Sequence, residues 1–413
     1  MTAHRADTPA RARLAELAAA HGLDVRGGRL CRTSSRFCLG VEHGDYNGTD
    51  LFGVGTDRFL WLASKPNDRG RVRLVSGNFA GEGVVEFTPG HVPPPRSPEL
   101  AGRWARFACG VDWVLHRHGL ATRRGLDVVL HGDIPGGGMS RSASLAINLA
   151  LAYLAANDLA APDRLRLAAM LQQVENDYIG SPCGVLDLVM IATARAGYGS
   201  LYRPREHAVE HVPLGAGAPD FRLLSLDTGT VRPGLEHATY PQRVRECAAA
   251  VAFLRRLAPI ERLADVRDPQ QFARLEPALR AHDAALADRF AYVFAAQQRL
   301  PALLAAWRAG DVAALGAVFR ADGHGLRDLY RISGPELETM CDIVRTVPGV
   351  HGERMLGGGD KGAAGAIVRA EAVAAVREAV TTAYPRSHPA FASAFAVHEL
   401  AMVDGVSARD LQA

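Results

Sequence analysis

Three short stretches of the sequence hold residue types that could do chemistry. Ile134-Pro135-Gly136-Gly137-Gly138-Met139-Ser140-Arg141-Ser142 follows an apolar run at 126–130 and leads into an Ala/Leu-rich segment at about 143–156. Consecutive glycines let a backbone approach a phosphate closely and aim several N–H groups at it, and a helix start adds its positive dipole end. The loop is not a P-loop, because G-x-x-x-x-G-K-[ST] is absent and no lysine is near, and it does not match G-x-G-x-x-G. A tight strand-to-helix turn without a ligand is the alternative reading. In the second stretch, 35–48, Arg36, Glu42, His43, Asp45 and Asn47 crowd together before a turn, a density of hydrogen-bonding groups that suits a polyhydroxylated ligand. A surface hairpin explains 45–48 equally well, but not Glu42-His43 beside apolar Leu39 and Val41. In the third, Glu175 and Asp187 flank Pro182-Cys183-Gly184, so one carboxylate could serve a metal and the other take a proton. Solvated helix ends would carry the same acids.

Elements must position these groups. The spacing predicts a helix within 1–26, strands at 51–64, 71–75 and 84–87, a helix over 98–119, a strand at 126–130 and helices over 143–156 and 163–177. Residues 180–184 break the pattern before a further helical stretch with Asp187. Strand-like segments near 199–203 and 221–226 precede a long helical region, about 240–345, broken by Pro259, Pro269 and Pro301, and a strand at 365–368 is followed by a helix at about 370–383. The Gly/Ala/Pro run at 215–219 marks a domain boundary near 215, and no internal repeat is evident.

With 413 residues, 48% hydrophobic and 22% charged, the chain can bury a sizeable core, which excludes disorder and a small disulfide scaffold. A net charge of +3 gives no uniform field for nucleic acid or a membrane surface, so a cation-dependent function must be local. No apolar run approaches the roughly 20 residues of a membrane span, and the start lacks an apolar stretch behind its basic residues, so a cytoplasmic protein is expected. The 6 cysteines lack metal-ligand spacing and suit reduced core thiols. Among 47 basic residues only Lys65 and Lys361 are lysine, which draws attention to both.

In order and spacing, the three stretches resemble the galactokinase branch of the GHMP kinases (galactokinase, homoserine kinase, mevalonate kinase and phosphomevalonate kinase). Residues 36–48 resemble G-R-V-N-L-I-G-E-H-T-D-Y-N-G, keeping its Arg, Leu, Glu, His, Asp, Tyr, Asn and Gly. Residues 134–144 resemble I-P-x-G-x-G-L-S-S-S-A-S, and 180–187 resemble G-M-P-C-G-I-M-D, with Glu175 at the matching distance upstream. Residues 231–247 are similar to N-V-R-H-S-L-x-x-S-E-Y-x-x-R-R-x-x-C, with Tyr240 in register, and 335–337 and 349–359 resemble P-E-L and G-V-Y-G-S-R-M-T-G-G-G. The resemblance extends from about residue 28 to 405.

It implies an α+β, two-domain GHMP kinase fold. A ribosomal S5 domain 2-like domain over 1–215 would carry the sugar motif and phosphate loop, a ferredoxin-like, helix-rich domain would cover 216–413, and the site would lie in the cleft between them. The implied chemistry is ATP- and Mg2+-dependent phosphorylation of the anomeric hydroxyl of a galactose-like sugar. Asp187 matches the catalytic aspartate and Arg36 the arginine paired with it; Glu175 and Ser142 match the magnesium ligands. Glu42, His43 and Asp45 match residues that grip sugar hydroxyls, with Gly184 and Tyr240 lining the same pocket. Gly136, Gly137, Gly138, Ser140 and Ser142 match the phosphate cradle, Trp104 and Phe107 an aromatic pair near adenine, and Gly357, Gly358 and Gly359 a mobile glycine motif. Such an enzyme is expected in the cytoplasm as a monomer or homodimer with only small-molecule partners.

The departures bear on the acceptor. The glycine loop is one residue shorter than in galactokinases and has Arg141 for the middle serine, and Gly359-Asp360-Lys361-Gly362 stands for G-F-G-G. These cations either touch ATP phosphates or pair with Asp360, or else Arg141 and Lys361 bind an acceptor that carries a phosphate or a uronic carboxylate. Cys38, Val41 and Gly44 replace Asn, Gly and Thr, Pro233 replaces His, and Leu188 replaces the glutamine after Asp187. Together they point to a modified or phosphorylated sugar, such as octose 8-phosphate in antibiotic sugar biosynthesis. The alternatives are ordinary galactose, or a non-catalytic sugar sensor, against which the retained Asp187, Arg36 and Glu175 argue.

Overall fold

The computed structural model describes residues 3–231 and 237–411, so the replacement at Pro233 lies outside the described residues. Its strands are β1 (Arg29–Gly40), β2 (Leu51–Asn67), β3 (Val72–Ser76), β4 (Val85–Phe87), β5 (Gly125–Gly132), β6 (Tyr198–Arg203), β7 (Ala208–Pro213), β8 (Phe221–Asp227), β9 (Val350–Met355), β10 (Ala363–Arg369), β11 (Ala396–Leu400) and β12 (Val406–Asp410). They form two sheets. The first has the order β12-β1-β2-β5-β3-β4, with the β6–β7 hairpin attached to the start of β2, and the second has the order β11-β8-β10-β9. The pairings are antiparallel except for β3 with β5. The chain passes from the first sheet to the second between β7 and β8, near 215, but β12 returns to pair with β1.

Strand β1 is absent from the sequence expectation because its polar run, 32–36, shows no alternation. It is nevertheless buried on both faces. Most of its polar groups find partners elsewhere in the chain: Arg32 lies 3.2 Å from Asp7, the Thr33 hydroxyl 2.6 Å from that of Ser144, and the Ser35 hydroxyl 2.5 Å from that of Thr56. A register shift between Ser34 and Ser35 redirects the rest of the strand toward the site.

The helix Arg141–Ala156, rich in Ala and Leu, packs on β1 and β2. The helices Tyr240–Leu254, Pro269–His282, Ala284–Ala309, Val312–Asp328 and Pro335–Arg345 form the helical layer of the second half. Pro269 opens its helix, where its missing N–H costs nothing. The expected break at Pro301 does not occur: the helix Ala284–Ala309 runs through it, with the proline on its exposed side. The two halves share one core, in which Phe37 stacks on Phe319 at 5.5 Å and Phe52 meets Trp307 at 5.3 Å. All six cysteines are buried free thiols, and among the described residues no helix is long and apolar enough to cross a membrane.

Candidate active site

The end of β1 delivers the first charged group. Arg36 is 1% exposed, and its Nε donates to Asp187 Oδ1 at 2.7 Å while Nη1 donates to the Gly138 carbonyl at 2.7 Å. Burial works against this charge, but the Asp187 and Glu42 carboxylates more than offset it and hold the guanidinium above its ordinary range. Asp187 lies in the first turn of the helix Leu186–Thr193, and its side chain is 35% exposed against 2% for Arg36. The ion pair therefore fixes the cation and leaves the carboxylate open to a ligand.

After β1 the chain turns tightly, with His43 at φ 59° and the Asn47 side chain donating to the His43 carbonyl at 2.9 Å. Glu42 and His43 are buried. Glu42 Oε1 accepts the Gly357 N–H, whereas Oε2 has no hydrogen-bond partner. His43 Nδ1 lies 2.9 Å from the Tyr46 hydroxyl, which is 2.7 Å from that of Tyr330. Asp45 accepts the N–H groups of Tyr46 and Leu186, both at 3.0 Å, which fastens this turn to the helix that carries Asp187. Burial pushes the Asp45 carboxyl up to about 6; the two N–H donors oppose the shift, and Asp187 and Glu42 add to it. Gly184 has no room for a side chain because a Cβ there would overlap the Asp45 carboxylate. The Tyr240 hydroxyl accepts the Gly184 N–H at 3.2 Å. One cavity is lined by Arg36, Glu42, His43, Asp45, Gly184, Asp187 and Tyr240, with Ala143, Cys183, Leu186 and Leu188 as its apolar wall.

A second cavity, about 500 Å³, is lined by the glycine loop, Gly136, Gly137, Gly138, Ser140, Arg141 and Ser142, and by Trp104 and Phe107 on the other side. Ser140 sits at φ 61°, immediately before the helix Arg141–Ala156. Ser140 Oγ and Trp104 Nε1 are buried without hydrogen-bond partners. Unpartnered polar atoms at a cavity beside a helix start suit a ligand with phosphate and heterocyclic acceptors, which a nucleotide supplies. Phe79 and Val231, exposed at 39% and 81%, also line this cavity. The sequence reading missed both, since a single apolar residue in a turn carries no pattern.

Glu175 stands in a π-helical turn, Val174–Ile179, whose geometry lets its carbonyl accept the N–H groups of Gly180 and Ser181 at 2.8 and 2.7 Å. Its carboxylate hydrogen-bonds Ser142 and Cys183, and burial pushes it up. Carboxylate and hydroxyl are hard oxygen donors, and Mg2+ takes one or two such carboxylates plus phosphate oxygens. Among the described residues no group of three or more His, Cys, Asp or Glu is placed to hold a metal ion.

Arg36, Glu175, Asp187, Gly357 and Gly358 line both cavities and mark their junction. The residues picked from sequence thus meet in one place, with one correction. Neither cation expected to bind a charged acceptor faces the acid-rich cavity. Arg141 folds back on its own loop, Nε and Nη2 donating to the Ile134 carbonyl at 3.0 and 2.7 Å, and lines the other cavity. Lys361 is exposed and lines neither cavity. It follows Asp360, which is held at φ 58° and whose carboxylate accepts the Thr239 N–H at 2.6 Å.

Residues 106–195 match the family model for the GHMP kinases N terminal domain. The chain is 31% identical over 349 residues to a galactokinase of Chloroflexus aggregans, covering 84% of this chain and 85% of that protein. It is 33% identical over 349 residues to a galactokinase of Streptomyces coelicolor, covering 83% and 85%. The crystal structure of Lactococcus lactis galactokinase complexed with galactose superimposes with a TM-score of 0.87 at 25% identity, over 97% of this chain and all of that one. Mevalonate kinase from Methanococcus jannaschii shares the fold, with a TM-score of 0.62 at 14% identity.

Proposed function

This chain belongs to the galactokinase branch of the GHMP kinases and is an ATP-dependent sugar kinase, and from that premise we propose that it phosphorylates the anomeric hydroxyl of D-galactose to galactose 1-phosphate. The observation that carries this reading is the junction, where Arg36 and Asp187 stand between a cavity lined by Glu42, His43 and Asp45 and a glycine-loop cavity with unpartnered polar atoms.

In this reading Asp187, paired through one oxygen to Arg36, takes the proton from the anomeric hydroxyl as its oxygen attacks phosphorus. Arg36 keeps the carboxylate oriented and places positive charge where negative charge develops on the transferring group. Glu42, His43 and Asp45 hold the sugar hydroxyls, and the bond between Tyr240 and Gly184 fixes the wall beside His43 and Asp45. The glycine-loop amides and the helix start hold the nucleotide phosphates, and Trp104 and Phe107 flank the base. Glu175 and Ser142 would hold Mg2+, which neutralises phosphate charge when bound. Little covalent work is left to the protein, so positioning and electrostatics supply most of the rate.

An uncharged acceptor is favoured over octose 8-phosphate or a uronic acid. Arg36 is the only Arg or Lys side chain among the described residues that lines the acceptor cavity, and it is already paired. The Arg36–Asp187 pair likewise favours a catalyst over a sugar sensor. A screen of ATP consumption decides: galactose should be turned over efficiently, and sugar phosphates and uronic acids poorly. The reverse order would restore the charged acceptor, and no turnover with any sugar would leave the sensor.

A further inference from the structure

Glu42, the most buried acid of the acceptor cavity, is supported from behind by a residue that lines neither cavity. Arg354, on β9, is 1% exposed. Its Nη2 donates to the Cys38 carbonyl at 2.8 Å and lies 4.0 Å from Glu42 Oε2. Its Nη1 is 3.1 Å from Asp322 Oδ2, and its guanidinium carbon is 4.5 Å from the centre of the Phe319 ring. Asp322 in turn lies 2.9 Å from Arg299. On its other side, Glu42 Oε1 is 3.8 Å from Arg36 Nη2. Charges therefore alternate from Asp187 through Arg36, Glu42, Arg354 and Asp322 to the half-buried Arg299.

Arg36 reaches only one oxygen of Glu42, through Nη2, because its Nε and Nη1 are committed to Asp187 and the Gly138 carbonyl; the other oxygen, Oε2, is the one Arg354 faces. A carboxylate this far from water needs positive charge close by, and loss of a partner leaves an uncompensated buried ion. Glu42 is also faced by the Cys38 thiol beside its carboxylate, by a backbone N–H from Gly357, and by the Tyr292 hydroxyl, which donates to the Glu42 carbonyl rather than to its side chain. We propose that Arg354 is a positioning residue for the acceptor sugar: it fixes and charge-balances the Glu42 carboxylate, so that this carboxylate meets a sugar hydroxyl in one orientation. The planar guanidinium, wedged between the Cys38 carbonyl and the Phe319 ring, presents one edge to Glu42 and another to Asp322. An ammonium could not do both.

The inference rests on Glu42 as an acceptor ligand, and its test separates the two. Arg354→Met and Arg354→Lys are assayed in the full chain with whichever acceptor the wild type phosphorylates, so failure of wild-type turnover with galactose counts against the functional reading alone. Arg354→Met should raise the acceptor KM by about tenfold or more, the scale on which partners behind a ligating group act, with the ATP KM unchanged. Arg354→Lys should fall between, since it keeps the charge and loses the fork. Should Arg354→Met not fold, Asp322→Asn weakens the anchor while leaving Arg354 in place, and should raise the acceptor KM by a smaller factor at constant ATP KM. A folded variant with a lowered melting temperature but a wild-type acceptor KM would overturn the proposal. Parallel rises in both Michaelis constants would do the same.

Discussion

Replacing Asp187 by asparagine keeps an acceptor for the Arg36 Nε–H but removes the base. In the proposed mechanism kcat should drop by about 10²-fold or more while both Michaelis constants stay close to wild type; near-normal turnover would exclude Asp187 as the base. Asp45 supplies a pH dependence. Its folded value near 6 lies above the unfolded 3.8, so between the two the native state binds the extra proton. The stability from this group is fully present below the unfolded value and is lost as pH rises through 6. Acceptor binding runs the other way, because only the ionised carboxylate accepts two hydroxyls. The galactose KM should climb as pH falls below about 6 at constant ATP KM, and Asp45→Asn should flatten the profile. Arg141→Ser tests which ligand the loop cation serves: from its place in the glycine-loop cavity, it should raise the ATP KM and leave the galactose KM alone. Arg36, Glu42 and Asp45 were legible in the sequence because they sit in one short run of unusual polar density, and Asp187 because, with Glu175, it flanks Pro182-Cys183-Gly184 in a run that resembles the family motif. Arg354 falls in the run 349–359 that resembles the C-terminal motif, but its role carried no signal, because its partners Cys38, Glu42 and Asp322 are brought to it only by folding.

Between elements, the decisive contact is glycine on glycine. A Cβ on Gly137 would stand 2.6 Å from the Gly362 Cα, and one on Gly357 would stand 3.0 Å from the Gly138 Cα, so the phosphate loop and the C-terminal glycine loop touch backbone to backbone. Arg36 closes the same contact through the Gly138 carbonyl. Gly137→Ala must push the loops apart, since neither obstacle is a flexible side chain. A displacement of about 1 Å at a reacting centre costs on the order of 10²-fold, so kcat/KM for ATP should fall on that scale with the melting temperature nearly unchanged. The helix after the glycine loop was legible from its Ala/Leu pattern. Strand β1 was not, because its polar residues are satisfied by partners from residue 7 to residue 144, which no local window contains. Pro301 misled in the opposite sense, since whether proline breaks a helix depends on which side faces solvent.

For the molecule as a whole, the site is built from both halves: Arg36 and Asp187 come from the first, Tyr240 and Gly357 from the second. Ligands that fill the junction should therefore stabilise the entire fold. Saturation at 100 times Kd is worth about 2.7 kcal/mol, so galactose with a non-hydrolysable ATP analogue should raise the melting temperature more than either alone. The α+β class was legible from the motifs that resemble the GHMP kinases, and the Gly/Ala/Pro run at 215–219 lies where the chain passes from the first sheet to the second. The return of β12 to β1 could not, because five residues of ordinary composition carry no address. Deleting 404–413 should expose the β1 edge along 29–33, lower the melting temperature and promote self-association detectable by size-exclusion chromatography, even though no site residue is removed.

That pairing of Arg29 with Asp410 and of Thr33 with Val406 also sets a clock on biosynthesis. As the chain is made, the outer edge of β1 has no neighbour until nearly four hundred further residues have left the ribosome. At about 5–20 residues per second this is a wait of tens of seconds, during which an incomplete sheet edge stays exposed. Ribosome-bound intermediates stalled before residue 406 should accordingly be captured by chaperones that recognise unpaired strands, and released once the last strand emerges.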